Sequence, residues 1–259
     1  DCKIRGYRAF FATHMSIGLF PGLMAEKINV IFCIIVLRKA ILMKLLIVAA
    51  TEAEIAPLVN YLDKYVPLTT GKFVDVLITG VGMVATTYAL TRHLQAATYD
   101  LVLQAGVGGS FDEGIHLGSL VFVTSERYGD LGAEDHDDHL DIFDMGLLPK
   151  DDHPFSGSLL PAPMLPVHNK IKLPRVKGLT VNTVSGSEKT IKRLKETYIC
   201  DTESMEGAAF HYVCLQEQVP FAQVRAISNY VTPRDRSSWR MNEAIMNLNN
   251  WLIEFIETL

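Results

Sequence analysis

Three carboxylates and one amide carry the most chemical information in this chain. Glu54 stands one turn beyond an apolar run, Lys44 to Ala50. A carboxylate there can act as a general base on water. It also completes a capping box with Thr51 at a helix start. Glu203 and Glu206 flank Ser204-Met205 ahead of a helix-like apolar run. Acids at that place favour a helix N-terminus. A carboxylate can also take both vicinal hydroxyls of a ribose while a methionine such as Met205 packs on the sugar face. Asn229, preceded by Ser228, follows the apolar run Phe221 to Ile227. An Asn side chain donates and accepts, which suits a purine edge and equally suits a turn at a strand end.

Glycine clusters follow strand-like runs at Gly80-Val81-Gly82, at Gly106-Val107-Gly108-Gly109 and at Ser185-Gly186-Ser187. Glycine lets a backbone approach a ligand closely, and it also serves tight strand-to-helix turns. Gly80, Gly82 and Ala85 imitate a dinucleotide fingerprint, a weak signal when alone. All three clusters fall where a doubly wound sheet binds ligands, which points to a pocket of nucleoside size. Glu134 to His139, with Asp141, has metal-binding side chains but no tight zinc spacing. It reads as a solvated loop, and no metal is expected. Ser185 and Ser187 show no spacing that marks a Ser-His-Asp triad.

The elements that must position these residues alternate in type from Met43 onward. Strands are expected at Lys44 to Ala50, Phe73 to Thr79, Asp100 to Gln104, Gly118 to Thr124, Leu179 to Val184 and Phe221 to Ser228. Helices are expected after Thr51, over Val84 to Ala97, Glu188 to Glu196, Met205 to Gln216 and Trp239 to Thr258. Continuous apolar strands indicate a sheet covered on both faces. The pattern predicts one three-layer α/β domain with a mixed, mostly parallel central sheet. Asp130 to Lys177 is long, weakly periodic and interrupted by Pro149, Pro154, Pro161, Pro163, Pro166 and Pro174. Such segments are usually lids or interface loops.

Composition bounds the function. With 49% hydrophobic and 20% charged residues the chain can build a large core, which excludes a disordered or coiled-coil protein. A net charge of -5 argues against a nucleic-acid partner. The cysteines Cys2, Cys33, Cys200 and Cys214 form no CxxC pair, so a reducing cytoplasm is expected. Ile28 to Leu37 is a ten-residue apolar run followed by Arg38-Lys39. A spanning helix needs about 20 residues, and a signal peptide needs small cleavage-site residues there. No membrane partner is therefore expected. Residues 1–42 read as an N-terminal extension outside the domain 43–259, with Met43 a candidate natural start. The alternative is an extra helix packed on the domain.

Taken together, six segments resemble the purine nucleosidase and nucleoside phosphorylase superfamily, in particular its methylthioadenosine/S-adenosylhomocysteine nucleosidase branch. They are Ala49 to Glu54, Gly80 to Val84, Gly106 to Gly109 followed by Gly118 to Val121, Val184 to Gly186, Ser204 to Ala208, and Arg225 to Asn229. The resemblance implies a nucleoside phosphorylase-like fold over Met43 to Leu259. It makes Glu54 the water-activating carboxylate and Glu206 the ribose-binding one, with Met205 against the sugar and Ser228 and Asn229 at the purine. Gly106, Val107, Gly108 and Ser185 are implied as pocket lining.

One position departs from that branch. Adenine-specific nucleosidases carry an aspartate where this chain has Asn229. An amide holds no ionisable proton, yet it can still donate to a 6-oxopurine, whose departing anion is delocalised onto O6. In this respect the chain resembles the futalosine hydrolase branch, which implies hydrolysis of futalosine to hypoxanthine and dehypoxanthine futalosine in menaquinone biosynthesis. No cofactor is implied, and a homodimer or larger homo-oligomer is. The alternatives are a methylthioadenosine/S-adenosylhomocysteine or aminodeoxyfutalosine nucleosidase, a phosphorylase, and a non-catalytic nucleoside-binding protein. The absence of arginine from the Gly80 and Gly106 segments disfavours phosphorolysis.

Overall fold

The computed structural model describes residues 4–6, 43–65, 73–136 and 138–259. The apolar run 28–37 and Asp137 lie outside the described residues. The first half of the chain gives β1 (Ile4–Gly6), β2 (Lys44–Ala49), α1 (Glu52–Tyr65), β3 (Phe73–Ile78), α2 (Met83–Ala96), β4 (Leu101–Ser110) and β5 (Leu120–Glu126). Then come β6 (Gly132–Asp135), β7 (Asp138–Asp141), β8 (Leu160–Pro161) and β9 (Arg175–Thr180). The remainder is α3 (Glu188–Thr197), β10 (Thr202–Ser204), α4 (Gly207–Gln216), β11 (Phe221–Tyr230) and α5 (Met241–Thr258).

The apolar strands divide their side chains between two helical layers. Leu45, Ile47 and Ala49 of β2 pack with Ile55, Leu58 and Leu62 of α1 and with Leu248 and Leu252 of α5. Leu46 and Val48 of the same strand pack with Leu90 and Leu94 of α2 and with Phe210 and Val213 of α4. Successive side chains point to opposite faces, so a strand covered on both sides must be apolar throughout. That is the physical reason for the unbroken run at the start of the domain.

Nine strands join in one sheet, while β6 and β7 form a separate hairpin. β2 runs parallel to β3 and β4 on either side, and β1 lies antiparallel on the outer side of β3. β4, β10, β9, β5 and β11 pair in succession, and β11 pairs back onto β4. Five strands thus close into a ring. Among the described residues five of the nine pairings in this sheet are parallel and four antiparallel. The parallel majority expected from the sequence is therefore slight, and the sheet is closed where a layered one was anticipated. β4 makes closure possible. Its first half pairs with β2 and its end with β10, while β11 runs along its other side.

Several boundaries differ from those read in the sequence, three of them beside the site. The strand expected to stop at Gln104 continues through Gly106 to Ser110, so these glycines are strand and not loop. The strand expected at Leu179 to Val184 lies earlier, at Arg175–Thr180. The helix expected from Met205 starts at Gly207, after the short strand β10. The long segment 130–177 supplies the β6–β7 hairpin, β8 and part of β9. It packs Phe143, Phe155 and Leu160 against Ala208.

Candidate active site

Glu54 is anchored before anything binds to it. It lies in the first turn of α1, buried at the end of β2. Its Oε2 accepts the backbone N–H and the hydroxyl of Thr51, each at 3.0 Å. Its Oε1 accepts the N–H of Val107 in β4 at 3.0 Å. Half of the expected capping box is present: Glu54 accepts the Thr51 N–H, while the Thr51 hydroxyl donates to the carboxylate. Gly106 makes the approach possible. A Cβ there would stand 2.9 Å from Glu54 Oε1 and 2.8 Å from Arg225 Nη1.

The backbone beneath Glu54 is also held. Pro57 inside α1 has no N–H, so the carbonyl of Ala53 loses its helical donor. Buried Asn249 of α5 spans the weak turn. Its Nδ2 donates to the Glu54 carbonyl at 2.8 Å, and its Oδ1 accepts the Leu58 N–H at 2.9 Å.

Glu206 caps α4 and is buried. Its Oε1 accepts the N–H of Gly82 at 3.0 Å, and its Oε2 pairs with Arg225 Nη1 at 3.3 Å. Gly82 has a φ of 90°, which an L side chain rarely adopts, so a glycine is needed to aim this N–H. Arg225 lies inside the closed ring, 2% exposed. It also donates to Val107 O at 3.2 Å and, through Nε, to Gln223 Oε1 at 2.9 Å. Behind it, Gln223 Nε2 donates to Glu126 Oε1 and to His211 Nε2, each at 3.0 Å. Thr180 donates to the other Glu126 oxygen at 2.9 Å. Burial raises the Glu126 carboxyl to about 7, with Arg225 opposing the rise. Burial lowers His211 to about 3, so its imidazole is neutral.

Ser228 and Asn229 stand near the end of β11, just before its last residue Tyr230. Ser228 Oγ donates to Asn229 Oδ1 at 2.9 Å, and Asn229 Nδ2 donates to Tyr230 O at 3.0 Å. An amide nitrogen carries two hydrogens, so one N–H of Asn229 is left for a ligand. Glu203, in β10, accepts the N–H of Ser185 at 2.9 Å and also its hydroxyl. Burial raises its carboxyl, and the two Ser185 donors oppose the rise.

These groups line one cleft of about 340 Å³. Glu54, Val107, Gly108, Ser185, Met205, Glu206, Ser228 and Asn229 all lie on its wall. Gly106 stands behind Glu54, where it leaves room for the carboxylate. Sequence reasoning gave no cleft role to Arg234, Trp239, Met241 or Ile245, which also line it. The Arg234 guanidinium lies over the Trp239 ring at 5.2 Å. The only advance signal was their position shortly after Asn229. Among the described residues, the long segment 130–177, read as a lid or interface loop, supplies none to this cleft. Arg127 pairs with Asp141 at 2.8 Å, and Tyr128 packs on Phe155. Glu134 to Asp141 forms the β6–β7 hairpin, and among the described residues no group of three His, Cys, Asp or Glu side chains could hold a metal.

The cleft offers an anchored carboxylate at one wall, a second carboxylate held by Arg225, and an amide donor at a strand end. That set suits a polar ring system joined to a vicinal diol. Comparison with known proteins agrees. Residues 44–257 match the phosphorylase superfamily. The chain is 35% identical over 186 residues to futalosine hydrolase of Streptomyces coelicolor, covering 68% of this chain and 75% of that protein. It is 30% identical over 221 residues to a 5'-methylthioadenosine/S-adenosylhomocysteine nucleosidase of Haemophilus influenzae, covering 83% of this chain and 86% of that protein. The crystal structure of a 5'-methylthioadenosine/S-adenosylhomocysteine nucleosidase of Colwellia psychrerythraea in complex with adenine aligns with a TM-score of 0.69 at 20% identity, over 84% of this chain and 96% of that one. This last likeness is one of fold.

Proposed function

The chain belongs to the phosphorylase superfamily, and from that premise we infer that it hydrolyses the N-glycosidic bond of futalosine to hypoxanthine and dehypoxanthine futalosine, in menaquinone biosynthesis. It is an N-glycosyl hydrolase on a nucleoside phosphorylase-like α/β fold. The observation that carries the choice of base is Asn229, an amide with a free N–H on the cleft wall. Such a donor suits O6 or N7 of a 6-oxopurine and holds no proton for general acid catalysis.

In this reading the bond to the purine breaks through an oxocarbenium-like transition state. Glu54 orients a water and takes its proton as the water oxygen bonds to C1'. Thr51 and Val107 keep the carboxylate aimed. Glu206 accepts from the 2'- and 3'-hydroxyls, and Met205 packs on the sugar. The electron pair of the broken bond goes to the purine, whose anion spreads onto O6 and is protonated by solvent.

Futalosine carries a carboxyphenyl ketone tail. Val81, Trp239, Met241 and Ile245 supply an apolar slot for its ring, with Arg234 the cation for its carboxylate. Among the described residues Arg234 is the one Lys or Arg side chain on the cleft wall. The exposed apolar side chains Val81, Val84 and Tyr88 beside the cleft support association into a homodimer or larger assembly. Residues 43–259 form the nucleosidase domain in this reading, and of the extension 1–42 the strand Ile4–Gly6 adds an edge to its sheet beside β3. A cytoplasmic location goes with it. Among the described residues no helix is long and apolar enough to cross a membrane.

The test is incubation with futalosine, aminodeoxyfutalosine and methylthioadenosine, with and without phosphate, followed by chromatography of the released base. Hypoxanthine from futalosine at a rate independent of phosphate is expected. Preferential release of adenine, or a requirement for phosphate, would overturn the reading.

A further inference from the structure

Glu206 is the N-cap residue of α4, yet its side chain makes no cap hydrogen bond. An N-cap side chain ordinarily accepts a backbone N–H of the first helical turn. Here other residues take that role. Ser204 Oγ accepts the Gly207 N–H at 3.2 Å, and Thr180 Oγ1 accepts the Ala208 N–H at 2.7 Å. The Glu206 carboxylate is left for Gly82, Arg225 and the cleft. Two paths then lead from Glu206 to one buried group, Glu126 of β5. The side-chain path runs through Arg225 and Gln223 to Glu126 Oε1. The backbone path runs through Ala208 and Thr180 to Glu126 Oε2. Together they close a circuit of hydrogen bonds. Gly178 and Gly207 leave room for it, since a Cβ on either would collide with the Glu126 carboxyl. Gly207 lies between Glu206 and Ala208, so the start of α4 is shaped around Glu126.

We propose that Glu126, Gln223 and Thr180 are positioning residues that set Glu206 on the ribose hydroxyls, holding it at its side chain and at its backbone. The proposal rests on the reading of Glu206 as the acceptor of the 2'- and 3'-hydroxyls. The three residues are buried and stand off the cleft wall. They act only through Arg225 and the first turn of α4. His211 fixes the direction of the side-chain path. Its Nδ1 lies 2.9 Å from the Leu160 carbonyl, which only accepts, so Nδ1 carries the hydrogen and Nε2 is bare. Gln223 must turn its NH2 toward that Nε2 and toward Glu126, which leaves its carbonyl for Arg225 Nε. A carboxylate tied at both ends is already in place when the sugar arrives. Such an acceptor needs no reorganisation as charge develops on the ribose.

Opening the circuit at either arm tests it. Thr180→Val removes the hydroxyl at nearly constant volume, and Gln223→Met removes the amide. The readout is the ratio of kcat/KM for futalosine to that for its 2'-deoxy analogue, which isolates the grip on one ribose hydroxyl. In each variant the ratio should fall about tenfold, the worth of roughly one hydrogen bond. Thr180→Ser, which keeps the hydroxyl, should retain most of it. The double variant should lose little more than either single one, because the circuit is already open. Additive losses, or equal losses on both nucleosides that leave the ratio unmoved, would overturn the proposal. A second measurement uses the unaltered protein and decides the matter should the variants not fold. Amide hydrogen exchange at Ala208 should slow when dehypoxanthine futalosine binds and not when hypoxanthine binds. An equal response to the two products would overturn the positioning role. Failure of the unaltered protein to discriminate futalosine from its 2'-deoxy analogue would instead overturn the reading of Glu206 itself, and the proposal with it.

Discussion

Glu54 Oε1 accepts the backbone N–H of Val107 at 3.0 Å, a contact that joins the first turn of α1 to the middle of β4. It exists because residue 106 has no side chain. Gly106→Ala would place a carbon within 3 Å of both Glu54 and Arg225. Neither group can withdraw freely, since both are buried and bonded. Turnover of futalosine should fall about 100-fold or more, in the range of a lost general base, with a smaller change in KM. Glu54→Gln should lower kcat similarly and leave hypoxanthine affinity near normal. Steady-state kinetics and calorimetry check both, and near-normal turnover in the Gln variant would remove Glu54 from the role of base.

Asn229→Asp exchanges a donor for a group that can carry a proton. The new carboxyl would sit beside Ser228, which already donates to Oδ1 at 2.9 Å. Preference should shift from 6-oxo- to 6-aminopurine nucleosides, read as the ratio of kcat/KM for futalosine and aminodeoxyfutalosine. Activity lost on both, with the ratio unmoved, would detach Asn229 from base selection.

Asn249→Ala tests the support beneath Glu54. Removing the amide leaves the Glu54 carbonyl and the Leu58 N–H without this partner, beside a turn already weakened by Pro57. The two groups are an i, i+4 pair that can close on each other, so urea unfolding should show the net loss of a hydrogen bond, about 1 kcal/mol. Because the affected backbone carries the carboxylate proposed as the base, kcat should fall more than KM rises. A loss of stability with unchanged kcat would make Asn249 a fold residue alone.

Glu126 gives a pH signature. Its carboxyl is raised from 4.5 to about 7 by burial. For an acid shifted upward, the stabilising contribution is fully present below about 4.5 and is lost as pH rises through about 7. At roughly 1.4 kcal/mol per pH unit, the full span is on the order of 3 kcal/mol. Glu126→Gln should remove this dependence. Relative to the variant, the unaltered protein should therefore be more stable at pH 5 than at pH 8. Equal pH dependence in the two unfolding series would show that Glu126 does not titrate in this window.

Much of the site was legible because it is written locally. Glu54 one turn after an apolar strand, Met205 and Glu206 at a helix start, and Ser228-Asn229 at a strand end are each short-range patterns. All of them reach one cleft. The glycines at 106 to 109 were legible as special and misread as a loop. Glycine signals a close approach as readily as a turn, and nothing nearby in the chain says which. Here Glu54 and Arg225 crowd Gly106, and Asn229 and Val231 crowd Gly109, all of them more than 50 residues away in the chain.

From sequence alone came the alternation of apolar strands and amphipathic helices, the α/β class and the positions of the candidate acids and amide. These follow from side-chain periodicity and residue type, which are local properties. Tertiary structure decided the closure of five strands into a ring, the pairing of Arg225 with Glu206, and the convergence of Gln223 and Thr180 on Glu126. Those depend on the register of strands far apart in the chain. Register is chosen by the whole set of packed faces at once, since a slip of one residue turns every side chain of a strand to the opposite face.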